Sequence, residues 1–132
     1  MAGNGMLDGA PPSGPWTGYY LYGDAGPKHT MRLGLMFAPD GRIRGEGIDG
    51  VGPFFVIDGL FNRATSEASW TKTYVGRHNV EYSGIYSQRS ICGNWTLKRR
   101  TGGFWIWPEA LAQSEEAAAP TEVEQPLEPV LV

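Results

Sequence analysis

The chain has 132 residues, enough for one domain, and its 5 Trp, 6 Tyr and 5 Phe within a 41% hydrophobic composition suffice for a compact core. A single cysteine excludes a disulfide framework, and 19 Gly and 10 Pro without a short repeat exclude a collagen-like chain. The net charge of −3 divides unevenly, because residues 108–132 carry six Glu and no Lys or Arg while residues 1–107 carry 11 basic and 8 acidic groups; a body of net +3 lacks the concentrated positive charge of a nucleic-acid binder.

Residues 1–14 are rich in Gly and Pro and are expected to be disordered. They show neither the basic and apolar regions of a signal peptide nor a myristoylation pattern, and no apolar run in the chain reaches the roughly 20 residues of a membrane helix. The expectation is a cytoplasmic protein without membrane association.

From residue 15 to residue 107 the hydrophobic period is two. Met31, Leu33, Leu35 and Phe37 alternate with Thr30, Arg32, Gly34 and Met36; Trp70, Lys72 and Tyr74 with Ser69, Thr71 and Thr73; Val80, Tyr82, Gly84 and Tyr86 with Asn79, Glu81 and Ser83; and Ile91, Gly93, Trp95 and Leu97 with Cys92, Asn94, Thr96 and Lys98. Strands with one covered and one wet face read this way. Turn signals separate the runs: Gly23 to Pro27, Asp40-Gly41, Asp49-Gly50 to Pro53, Asn62 to Glu67, Gly76-Arg77, the merely polar Gln88-Arg89, and Thr101-Gly-Gly103. The spacing predicts strands at 16–22, 29–38, 42–48, 53–61, 67–75, 78–86, 90–98 and 103–107. Links this short leave no room for crossover helices, so the sheet is an antiparallel meander. Closing the last strand onto the first removes both edges, which favours an all-β, eight-stranded up-and-down barrel over a two-layer sandwich. Residues 108–132 form an acidic Ala/Glu/Pro-rich tail with helix propensity at 109–119.

The run Trp70-Thr-Lys-Thr-Tyr74, then Tyr82-Ser-Gly-Ile-Tyr86, then Ile91-Cys-Gly-Asn-Trp-Thr-Leu97 resembles strands five to seven of the avidin/streptavidin family. Trp16-Thr-Gly-Tyr-Tyr20 likewise resembles the opening strands of avidins and, more broadly, lipocalins. The resemblance implies a ligand barrel with Trp70, Tyr82 and Trp95 near the pocket floor. The family's polar ligands for biotin have no equivalent in Tyr20-Leu-Tyr-Gly-Asp24, so it does not imply biotin.

No nucleophile–base motif, zinc-ligand spacing or phosphate loop is present, and the reading is of a protein that is not an enzyme and holds no cofactor or metal. Gly45-Glu-Gly-Ile-Asp-Gly50 lacks the lysine and following helix of a phosphate loop. Cys92 reads as a packing or wall thiol and His29 as an exposed strand-start residue; His78, at a hairpin, has the rim position of an axial haem ligand, but nothing else in the sequence supports haem. Lys72 stands out. Alternation with Trp70 and Tyr74 carries it inward if those rings face the core, where a carboxylate such as Asp58 could pair with it; otherwise it snorkels between surface aromatics. The leading expectation is a non-enzymatic barrel that binds a small hydrophobic or anionic ligand through Tyr20, Trp70, Lys72, Tyr82 and Trp95. The competing one is a filled barrel that contacts a protein through Trp105, Trp107 or the tail.

Overall fold

A computed structural model of the chain describes residues 9–110. Eight strands follow in chain order: β1 Gly14–Tyr20, β2 His29–Phe37, β3 Arg42–Asp49, β4 Pro53–Asn62, β5 Glu67–Tyr74, β6 Asn79–Ser87, β7 Ser90–Leu97 and β8 Arg100–Pro108. Each pairs antiparallel with the next, and β8 closes onto β1 with Gly18 opposite Ile106. The expected meander barrel is therefore the fold, compatible with an avidin-like or lipocalin-like architecture, and the sandwich is excluded. The eighth strand begins at Arg100, three residues earlier than its spacing predicted, and the first ends at Tyr20 rather than residue 22. The anticipated tail and all but the start of the 109–119 helix lie outside the described residues. Among the described residues, no helix is long and apolar enough to cross a membrane.

The alternating side chains converge on one interior. Inward residues of β1, β2, β7 and β8, among them Trp16, Leu33, Leu35, Ile91 and Ile106, are almost fully buried. Each contributes about 1.5–3 kcal/mol by leaving water. So small a barrel has little room inside its wall, and glycines hold the tightest places: a Cβ at Gly93 would overlap the Ser83 carbonyl oxygen of the neighbouring strand.

One end is plugged. Trp16 packs at 5.7 Å, tilted, against Phe37, which meets Phe61 at 6.5 Å, which in turn meets Tyr86 at 6.1 Å. The incoming chain completes this plug, because Trp16 Nε1 donates to the Pro12 carbonyl at 2.9 Å. The other end carries the β1–β2, β3–β4, β5–β6 and β7–β8 loops, and the candidate site lies there.

Two irregularities shape the wall. In β4 the register shifts between Ile57 and Leu60, with Asp58 at φ 53°. This bulge turns Asp58 out into solvent and gives its inward place to Gly59. The Gln88-Arg89 turn places both residues at positive φ, 53° and 64°, the geometry of a type I′ hairpin built without glycine.

Candidate functional site

Lys72 points inward on β5 and is 1% exposed. An isolated ammonium there would cost several kcal/mol, so its partners decide whether the arrangement holds. The Asp49 carboxylate pairs with it at 2.5 Å, and the Asp49 side chain is completely buried. Lys72 Nζ also donates to the Tyr82 hydroxyl at 3.1 Å and contacts Met31 Sδ at 3.7 Å. Asp49 in turn accepts from the Tyr74 hydroxyl at 2.7 Å and from the Val51 amide at 2.8 Å. Rings complete the cage: Phe54, Tyr20, Tyr74 and Tyr82 have centroids 4.4, 4.6, 5.0 and 5.2 Å from Nζ. A desolvated cation–π contact contributes about 2 kcal/mol, and this ammonium has four rings around it.

The partner expected for Lys72, Asp58, is not the partner found. The β4 bulge breaks the alternation that would have carried Asp58 inward, and the carboxylate comes instead from the last residue of β3. Asp49 continues the inward series Ile43, Gly45, Gly47, a signal the sequence contains but which its Asp-Gly turn signature masks.

Burial pulls the Lys72 ammonium down to about 8, and the charge and hydrogen bond of Asp49 oppose that shift. Burial first, and the Asp49 charge second, raise the Tyr20 and Tyr82 phenols above their ordinary range. Tyr74 is raised by burial and then by its hydrogen bond to Asp49. All three phenols therefore stay protonated and able to donate.

Above this cage lies a cavity of about 160 Å³ at the barrel mouth. Tyr20, Tyr74 and Tyr82 form its floor and Val51, Val80, Trp95 and Leu97 its apolar wall, while Tyr22, His78 and Arg100 stand at the opening. Trp95 is fixed from behind by donation of Nε1 to the Leu21 carbonyl at 2.8 Å. Tyr22 meets it edge-on at 5.6 Å, and the Arg100 guanidinium lies 5.3 Å over the Tyr22 ring. His29, expected in solvent, is half-buried and stacks on Tyr20 at 5.2 Å.

Of the residues singled out in the sequence, Tyr20, Tyr82 and Trp95 line this cavity, and Lys72 lies directly beneath it. Trp70 does not reach it; stacked on Tyr82 at 5.6 Å and 10°, it supports the floor from the far side. Tyr22, Val51, Tyr74, Val80, Leu97 and Arg100 also line the cavity, and none of them was expected to bind the ligand. Tyr74 was legible from its alternation with Trp70 and Lys72, whereas Tyr22, Val51 and Arg100 are brought in by loops and strand ends whose positions alternation does not give.

On the outer wall, Tyr19, Trp105 and Trp107 cluster with centroids 6.2–6.4 Å apart, and Trp105 is 47% exposed while Trp107 is half-buried. Cys92 pairs with Trp105 across β7 and β8 and is exposed on this outer face, a thiol of the barrel wall, because strand alternation turns it opposite to Ile91. Among the described residues, no group of three or more His, Cys, Asp or Glu is placed to hold a metal ion. Compared with protein families, with curated proteins and with solved structures, the chain matches none.

Proposed function

We propose that this barrel is a non-enzymatic binding protein whose mouth cavity takes one small molecule about the size of a single ring. The observation that carries this reading is the aromatic cavity of about 160 Å³ above the sealed Lys72–Asp49 pair. An apolar protein cavity of about 150 Å³ admits benzene. The polar groups that cross the site are few and fixed, as recognition of orientation requires. Larger ligands have no space, because the interior below Tyr20, Tyr74 and Tyr82 is occupied by side chains. No cysteine, serine or threonine lines the cavity, and Lys72 directs its donors to Asp49, Tyr82 and Met31, which favours binding over catalysis.

Native mass spectrometry of the full chain isolated from its own host tests this, alongside a Val80→Phe variant in which the added ring occupies the cavity. A non-covalent extra mass on the parent protein that the correctly folded variant lacks supports the reading. A bare chain mass, together with calorimetry showing no one-ring compound bound, refutes it. A second reading, docking of a protein on the outer wall, is favoured by the Tyr19–Trp105–Trp107 cluster and would leave the mouth cavity without effect on binding.

A further inference from the structure

We infer, on the footing that the mouth cavity binds a small molecule, that its ligand is a single-ring organic anion whose carboxylate or equivalent acidic group is held by Arg100 and His78 at the opening. Arg100 and His78 are the lining residues able to carry positive charge, and no carboxylate lines the cavity. The nearest acidic group, Asp49, is neutralised by Lys72 and lies beneath the floor with its side chain completely buried. An anion in the cavity therefore meets the Arg100 guanidinium at the rim and a neutral pair below.

The surroundings have the same sign. The four mouth loops and the first residue of β8 bring Lys28, Arg77, Lys98, Arg99 and Arg100 to this end, against Asp24 as the one carboxylate in those loops. A mouth of one sign over low-dielectric walls concentrates ligands of the opposite sign. Arg100 makes no ion pair among the described residues, and its stacking on Tyr22 holds the guanidinium over the opening without using its donor fork. The geometry separates two tasks. Val51, Val80, Trp95 and Leu97 surround a ring, while the acidic group remains at the rim, where a guanidinium can take it in two parallel hydrogen bonds. The protonated Tyr20 and Tyr82 phenols at the floor can donate to a second polar substituent on the ring, whereas the Tyr74 hydroxyl already donates to Asp49, and Asp49 itself is not available to accept from one.

Isothermal titration of the full chain with benzoate, benzamide and benzylamine tests the charge requirement, since the three share a ring and differ in sign. Benzoate is expected to bind at least about tenfold more tightly than benzamide, and benzylamine least, as the loss of one charge-assisted hydrogen bond implies. Arg100→Gln should remove most of the preference for benzoate over benzamide. Arg63→Gln, at the opposite end of the barrel, should preserve it. Equal affinity for benzoate and benzamide, or a preference for benzoate that survives Arg100→Gln, would overturn the anion inference and leave small-ligand binding standing. Failure of all three compounds to bind, with Val80→Phe indistinguishable from the parent, would remove both.

Discussion

Removing Lys72 without removing Asp49 is the most informative perturbation of the barrel interior. In Lys72→Met the replacement fills much of the same volume and lies among the same rings, so little is lost in packing. The Asp49 carboxylate keeps its bonds from Tyr74 and Val51 but loses the ammonium at 2.5 Å, and it remains cut off from water. Breaking one side of a buried pair costs about 3–5 kcal/mol, against a total of about 5–15 kcal/mol for a domain of this size. The variant should therefore lose a large part of its stability, with a fall in Tm of roughly 10–25 °C. Asp49→Asn should cost about 3 kcal/mol by stranding the ammonium, offset in part by the four rings that still face it. The double variant Lys72→Met/Asp49→Asn leaves no buried charge. It should be destabilised by at least about 2 kcal/mol less than the sum of the two single losses. Urea unfolding followed by tryptophan fluorescence measures all four corners of the cycle. Additivity within about 0.5 kcal/mol would refute the pairing as the source of the effect.

Stability should depend on pH in two opposite phases. From about pH 8 to pH 10 the unfolded chain still holds the Lys72 proton that the folded barrel has released, so urea midpoints should rise; above pH 10 they should fall, because Tyr20, Tyr74 and Tyr82 ionise when unfolded and not when folded. Midpoints that decline steadily from pH 8 would contradict the assignment of Lys72. Gly93→Ala should cost about 1–3 kcal/mol or more, since its methyl would meet the Ser83 carbonyl, whereas Gly34→Ala, whose methyl meets open space, should change thermal unfolding by less than about 0.5 kcal/mol. Replacing Gln88-Arg89 by Asn-Gly should raise stability by about 1 kcal/mol, because the two native residues hold positive φ against their side chains; unchanged denaturation would show that this turn is not strained.

How far the sequence could be read depended on where regular alternation ends. Period two along β2, β5, β6 and β7 gave those strands and their inward faces, and short turns then required the meander. The same logic carried Lys72 inward with Trp70 and Tyr74. It misplaced the lysine's partner for a local reason: one residue in the αL conformation at Asp58 shifts the phase of β4, and no residue type near Ile57-Asp-Gly announces such a bulge reliably. Asp49 was hidden by the opposite ambiguity, since an Asp before Gly reads as a turn although here it ends the inward row of β3. Trp70 and Trp95 look equivalent in sequence and both stand opposite Tyr82 in register, one on each side, yet only Trp95 lines the cavity. Arg100 and Tyr22 reach the cavity from strand ends and loops, where alternation carries no information.

The measurement that bears most directly on the central claim is a two-dimensional amide NMR titration of the full chain with benzoate. Saturable shifts should concentrate at Tyr22, Val51, His78, Val80, Leu97 and Arg100, the residues around the mouth cavity, with the plugged end at Phe37, Phe61 and Tyr86 unmoved. Shifts centred instead on Tyr19, Trp105 and Trp107, or none at all, would contradict a ligand site at the barrel mouth.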